Sequence, residues 1–199
     1  MQTEETYIEQ AKAGDEEAFA ALVQLYEKRV YHFILKSLRN PEDAFDISQE
    51  TFLRIHRSLS LFRGQSSFST WVFSIAHNLC IDFVRKQKRR GLHLPSVNED
   101  DLEMQNLSDA RYDPVAAFEK REVVSEIDRA LAAISPDLRE IFLLREVAGL
   151  QYQEIADTLE IELGTVKSRI ARARAALAKE LHDLRNKPAC DPSNDTKER

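Results

Sequence analysis

Two cysteines in 199 residues, Cys80 and Cys190, are too few and too far apart for a disulfide framework or a thiolate metal cage. They fit a reducing compartment, and a cytoplasmic protein is expected. The five histidines, at 32, 56, 77, 93 and 182, share no metal-ligand spacing, so no metal and no cofactor are expected. Five glycines form no phosphate-cradling loop, and there is neither a nucleophile elbow nor a pair of isolated carboxylates in apolar surroundings. No catalytic residue is nominated, and nothing argues for an enzyme. No apolar run approaches the ~20 residues of a membrane span. The opening MQTEETYIEQ is acidic and polar, unlike a secretory signal.

What remains is 43% hydrophobic and 31% charged, enough for one good core or two small ones. The net charge of −6 looks wrong for a nucleic-acid binder until its distribution is read. Arg85, Lys86, Lys88, Arg89 and Arg90 form one basic block, and the stretch after Thr165 forms another. Acids gather in the first 50 residues and at Glu99, Asp100, Asp101, Glu103, Asp109 and Asp113. Local charge therefore permits two DNA contacts on a chain that otherwise repels DNA.

Strand patterning is weak and helical periodicity strong, so the chain is predicted to be all-α. From Glu16 to Leu38 the apolar positions Phe19, Leu22, Val23, Tyr26, Val30 and Phe33 hold a helical period. Asn40-Pro41 closes that helix and opens another, whose buried face is predicted at Phe45, Ser48, Phe52, Ile55 and Leu59. After the loop LFRGQSSF, Ser69 or Thr70 can cap a third helix running to about Arg89. Residues 91–113 lose periodicity and turn acidic between prolines, as a flexible linker does. Helical patterning resumes near Pro114, Ser135-Pro136 opens a further helix, and Gly149 ends it. Two small helical domains follow, at 1–90 and 114–185, joined by the linker at 91–113 and trailed by a disordered tail at 186–199.

The stretch YQEIADTLEIELGTVKSRIARARAAL, residues 152–177, carries the most specific signal. Ile155, Ala156 and Leu159 give a short first helix its apolar stripe. Glu160 to Gly164 break the pattern, and Thr165 can cap a second helix with Val166, Ile170, Ala173 and Leu177 facing inward. Lys167, Ser168, Arg169, Arg172 and Arg174 are left outside. A short helix bracing a basic one is the helix-turn-helix, whose second helix enters the major groove. Two core helices with a solvated charged face are the plainer alternative, but no acid interrupts the basic run until Glu180.

A second set of residues suits an unpaired strand. Phe62, Phe68 and Trp71 flank the loop before the third helix, where aromatic rings can stack on a base, although two of the three are expected in the core. Asn78, Asp82 and Arg85 recur at helical steps and lead into Lys86 and Arg89. Asn can read a base edge and the cations can hold phosphates, whereas i,i+4 pairing on a wet surface is the plainer alternative. On the second helix Asp46, Gln49, Glu50 and Leu53 form an acidic face holding a leucine, suited to a basic partner surface or simply to solvent.

DISQETF at 46–52, FRGQSSFSTWVFSIAHNLCIDFVRK at 62–86 and YQEIADTL with GTVKSRIARAR together resemble the extracytoplasmic-function sigma factors of bacterial RNA polymerase, of the sigma-E type. The resemblance covers roughly residues 10–184, with three motifs in the family's order. It implies that Asp46, Gln49, Glu50 and Leu53 meet the clamp helices of core polymerase, whose flap is the expected partner of the other domain. It implies that the loop Phe62–Phe68 with Trp71, Asn78 and Asp82 holds an unpaired base of the −10 promoter element, beside phosphates held by Arg85, Lys86 and Arg89. It further implies that the helix opened by Thr165 reads the −35 element through Lys167, Ser168, Arg169 and Arg172.

Promoter DNA, core polymerase and an anti-sigma factor are thus the expected partners, without membrane insertion. A stand-alone helix-turn-helix regulator is the alternative, and would leave the Asp46–Leu53 face and the aromatic loop without a task. A sigma-like adaptor without DNA reading would leave Lys167, Arg169 and Arg172 unexplained. Two positions depart from the family: Glu160 stands where many relatives have glycine, and His77 neighbours the base-reading Asn78 with an open effect on −10 preference. Cys80 is expected to be a small core residue rather than a redox sensor. The linker, at about 3.3–3.6 Å per residue, reaches roughly 75–80 Å, just enough for elements two DNA turns or ~70 Å apart.

Overall fold

Helix-favouring patterns and local side-chain caps account for most of the architecture. In the computed structural model, which describes residues 3–91 and 126–186, every regular element is helical. α1 (Glu4–Lys12), for which the sequence pattern gave no expectation, is capped by Thr3, whose hydroxyl accepts from Thr6 N. α2 (Glu16–Leu38) is capped by Asp15, whose carboxylate accepts the Glu17 and Ala18 N–H groups at 2.9 and 3.1 Å. α3 (Pro41–Ser58) starts as predicted, with Asn40 Oδ1 accepting from Asp43 N at 3.0 Å and proline in the first turn. A 3-10 turn, Leu59–Leu61, leads into the loop before α4 (Phe68–Arg89). Ser67, not Ser69 or Thr70, caps α4 and accepts from Thr70 N at 3.1 Å.

After the undescribed stretch come α5 (residues 126–133), α6 (Pro136–Glu146), α7 (Tyr152–Leu159) and α8 (Leu163–Asn186). The expected linker, the helical onset near Pro114 and nearly all of the expected tail lie outside the described residues. α6 ends at Glu146, three residues before the left-handed Gly149 that was expected to stop it. Arg139 ties α6 to the end of α5, donating to the carbonyls of Leu131, Ala132 and Ile134 at 2.6, 3.0 and 3.2 Å. The Leu131 and Ala132 carbonyls are among the last of α5, which a helix end leaves without intrahelical partners, and Ile134 directly follows it.

α1 to α4 form one half, in which α2 packs on α1, α3 and α4; α5 to α8 form the other, with α6 and α7 against α8. Phe33 and Phe73 meet edge to face at 5.5 Å in the first half, and Ile141, Leu144, Ile155 and Ile170 are buried in the second. The halves pack together along α2 with α6 and α4 with α7, so their cores are continuous.

One face of α3 departs from expectation. Ala44, Ser48, Thr51 and Ile55 turn inward, while Phe45 is 58% exposed and Phe52 half-buried. Small residues let α3 lie close to its neighbours. The hydroxyls of Ser48 and Thr51 donate to the carbonyls of Phe45 and Ile47 at 2.8 and 2.7 Å, so burying them leaves no unmet donor.

Candidate nucleic-acid interface

The helix-turn-helix is assembled by backbone geometry first. Glu154 sits in the opening turn of α7, and its Oε2 accepts from Gln151 N at 2.7 Å, closing the N-terminus. α7 ends at Glu160 in the left-handed region, φ 53° and ψ 44°, where a side chain is strained and glycine is not. Ile161 N donates to Ala156 O at 3.0 Å, and the chain then enters α8. That helix starts at Leu163, so Thr165 lies within its first turn and does not cap it; Thr165 N donates to Glu162 O at 2.8 Å.

Burial divides α8 cleanly. Val166, Ile170, Ala173 and Leu177 face the core, while Lys167, Ser168, Arg172 and Arg174 are exposed and Thr165 and Arg169 half-buried. Arg174 is bound to Glu146 at 2.8 Å across the half. Lys167 and Arg172, by contrast, have no ion-pair partner among the described residues, and their charge faces solvent. Ser168 spends its hydroxyl proton on Thr165 O at 3.0 Å, leaving an oxygen that can accept.

In the first half, Phe62, Phe68 and Trp71 form a three-ring cluster with centroids 5.1 to 5.7 Å apart. Phe68 is buried and supports the other two from below, so it has no face left for a base; Phe62 and Trp71 are half-buried. Along α4, Asn78, Asp82, Arg85, Lys86 and Arg89 are all exposed and follow one another at helical steps. His77 is elsewhere. It is 5% exposed, and its Nδ1 lies 3.2 Å from Oε1 of Glu140 in the other half, so it takes part in the packing of the halves. Cys80 is buried next to it, and burial first, then the Glu140 charge, pushes its thiol up to about 12. A thiol held protonated in this way is a poor redox sensor.

On α3, Asp46, Gln49 and Leu53 are exposed and Glu50 half-buried, its Oε1 accepting from Arg54 Nε at 2.9 Å. Leu53 is 50% exposed, and Phe45 joins it. Sequence reasoning missed Phe45 because large apolar residues were taken to mark the buried face. The 4-3-4 spacing of Ala44, Ser48, Thr51 and Ile55 was the signal available. The result is an exposed patch with two large apolar side chains framed by carboxylates.

Polar contacts bridge the two halves. Glu154 Oε1 accepts from Ser67 Oγ and Thr70 Oγ1, both at 2.6 Å, and these hydroxyls hold its carboxyl below the usual carboxylate range despite the opposing effect of burial. Lys36 donates to the carboxylate of Asp128, and Arg29 to the carbonyl of Ala148. Burial, reinforced by Asp137 and opposed by Arg169, pushes Glu140 up to about 7. No helix among the described residues is long and apolar enough to cross a membrane, and no group of three metal-ligating side chains occurs among them.

Comparison with known proteins follows the same division into halves. A family model for sigma-70 region 2 matches residues 22–90, and one for sigma-70 region 4 matches residues 125–177. The sequence is 36% identical over 180 residues to the ECF RNA polymerase sigma factor SigW of Bacillus subtilis, covering 89% of this chain and 96% of that one. It is 33% identical over 187 residues to the ECF RNA polymerase sigma-E factor of Escherichia coli, and 32% over 187 residues to the RNA polymerase sigma-H factor of Pseudomonas aeruginosa. Each of these two alignments covers 92% of this chain and 96% of the relative. Among solved structures, the fold is similar to sigma factor RpoE in complex with the anti-sigma factor NepR from Bartonella quintana (TM-score 0.67, 24% identity, 82% of this chain and 96% of that one). It is also similar to CnrH in complex with the cytosolic domain of CnrY (TM-score 0.63, 24% identity, 89% and 96%).

Proposed function

The chain belongs to the extracytoplasmic-function sigma factors of RNA polymerase, and on that premise we propose how its exposed faces divide the work of promoter recognition. The carrying observation is that a chain of net charge −6 keeps two separate exposed basic faces, one on α8 and one on α4 beside an aromatic-lined loop. Two chemistries are needed, since a duplex and a melted strand present different groups.

On α8, Lys167, Ser168, Arg169 and Arg172 read and hold the −35 duplex in the major groove, with Thr165 near the helix start. On α4, Asn78 and Asp82 meet the edge of an unpaired −10 base, Phe62 and Trp71 stack on it, and Arg85, Lys86 and Arg89 hold the adjoining phosphates. Capturing an extruded base offsets part of the cost of unstacking it and so favours the open duplex. Phe68 underpins the rings. The patch of Asp46, Gln49, Glu50 and Leu53, widened by Phe45, docks on a basic surface of core polymerase through charge around an apolar centre.

The protein supplies recognition and the core enzyme supplies the chemistry of transcript synthesis. In the cell this places it in the cytoplasm, with core polymerase, promoter DNA and an anti-sigma factor as partners. A stand-alone regulator is not favoured, because the region-2 match spans residues 22–90, where such a regulator needs nothing. The test is transcription from purified core polymerase and a genomic promoter library. Promoter-dependent transcripts that need this protein support the reading, and DNA binding without transcripts would support the stand-alone regulator instead.

A further inference from the structure

Along one face of α4 the residues change character within three turns. His77, Cys80, Ile81 and Val84 follow one another at helical steps, and the same row continues into Arg85 and Lys88. His77 and Cys80 are buried, Ile81 and Val84 half-buried and the two cations exposed, so the row grades from dry to wet. Together with the end of α2 and the start of α6, this face walls a cavity of about 290 Å³. The buried Leu38 of α2 and Leu143 of α6 complete its apolar floor. At the ~30 Å³ that one water occupies in the liquid, the cavity admits about ten non-hydrogen atoms.

The charge of the lining is lopsided. It holds three cations, Arg85, Lys88 and Arg139, against one carboxyl, Glu140. That carboxyl lies 3.2 Å from His77, and burial favours its neutral form. Arg139 donates to the carbonyls of Leu131, Ala132 and Ile134, which satisfy its hydrogen bonds without cancelling its charge. Arg39 adds a further like charge near it. Arg85 and Lys88 have no ion-pair partner among the described residues. An apolar floor beneath an unanswered cationic rim asks for a ligand with two ends. A bare anion would leave the floor empty, and a neutral hydrocarbon would leave the rim charges unmet.

The geometry points to a binding site for a medium-chain carboxylate in this cavity, its chain against Leu38, Ile81, Val84 and Leu143 and its head held by Arg85 and Lys88. Octanoate, with about ten non-hydrogen atoms, matches the volume. A consequence rests on the promoter-recognition reading above, in which Arg85 holds a phosphate beside the unpaired −10 base. One guanidinium then serves two anions. The bound carboxylate and the melted strand compete for it, which makes the ligand an antagonist of −10 capture.

The test is calorimetric titration of the full chain with octanoate, octan-1-ol and octylamine, without DNA or polymerase. Octanoate should bind once per chain. Octan-1-ol should bind at least about tenfold more weakly, the loss of one charge-assisted hydrogen bond, and octylamine should not bind. Hexanoate, two methylenes shorter, should bind about 15-fold more weakly than octanoate. Lys88→Glu, at an exposed position outside the assigned DNA contacts, should weaken octanoate at least about tenfold with an unchanged melting temperature. Val84→Trp, which fills the cavity, should abolish binding. Equal binding of octanoate and octan-1-ol would overturn the inference. So would octanoate binding that both variants retain, or the lack of saturable binding by wild type that melts cooperatively. A labelled single strand spanning the −10 element of a promoter the protein transcribes should bind about tenfold more weakly with octanoate at ten times its dissociation constant. Undiminished strand binding beside intact octanoate binding would keep the ligand site and take Arg85 out of the −10 reading.

Discussion

His77 Nδ1 faces Glu140 Oε1 at 3.2 Å across the seam between the halves, and burial acts on both groups in ways that disfavour charge. It lowers the imidazole from its ordinary value and, with the neighbouring Asp137, pushes the carboxyl up to about 7 while Arg169 opposes. The pair is best described as a neutral imidazole whose Nδ1 accepts a hydrogen bond from a protonated carboxyl. Because the folded value of Glu140 is raised, its contribution to stability is complete below the unfolded value near 4.5 and is lost as pH rises through about 7. For His77 the folded value is lowered, so its contribution is present above about 6.5 and is lost as pH falls through the folded value. Thermal unfolding should therefore show a loss of stability as pH rises from about 4.5 to about 7 that Glu140→Gln flattens. A wild-type slope retained in Glu140→Gln would assign the titration to another group.

Glu160 ends α7 with φ 53°, a conformation that costs an ordinary residue about 1–2 kcal/mol and glycine almost nothing. Its side chain is exposed, so the strain has no evident packing return. Glu160→Gly should stabilise the protein by about 0.5–1 kcal/mol after the added freedom of the unfolded chain is subtracted. Glu160→Val should destabilise it. Denaturant midpoints decide this, and equal midpoints for Gly and Val variants would remove the backbone from the explanation.

How much of this was open to reading from the sequence depended on how local the cause was. Asn40-Pro41 and the stripe Val166, Ile170, Ala173, Leu177 are set by short-range chemistry, and the structure agrees with both. Phe45 misled because the space between α2 and α3 favours the small Ala44, Ser48 and Thr51, a demand made by packing and not by local pattern. The place of His77 was not legible for a related reason: its neighbour Asn78 is exposed, but its own contact is with Glu140 of α6, some sixty residues later. No periodicity encodes a contact of that range. Glu154 is the clearest case, since its capping Oε2 follows from a local motif while its Oε1 serves the other half.

Arg172 is exposed on α8 without an ion-pair partner among the described residues, one helical turn beyond Ser168. If it reaches base edges, Arg172→Ala should cost about 1–3 kcal/mol on the preferred −35 sequence and relax the preference there. Lys167→Ala, if Lys167 is a phosphate contact, should weaken all sequences alike and lower the salt slope by about one. Competition binding over a −35 sequence library separates the two roles. Uniform weakening by Arg172→Ala would reassign it to the backbone.

Glu50 lies beside Leu53 on α3 and is paired on the helix surface with Arg54 at 2.9 Å. An exposed i,i+4 pair contributes only about 0.3–0.5 kcal/mol, so reversing Glu50 leaves the fold nearly untouched. At a basic docking surface the same reversal places like charges together, which costs far more than losing a surface pair. Glu50→Lys should therefore weaken association with core polymerase by at least about tenfold, with unfolding unchanged within ~0.5 kcal/mol. Leu53→Ala should also weaken association, through lost apolar contact and without altered salt dependence, whereas the Glu50 effect should shrink as salt screens it. Titration of labelled protein with core polymerase at two salt concentrations distinguishes these contributions, and full-strength binding by both variants would move the docking surface off α3.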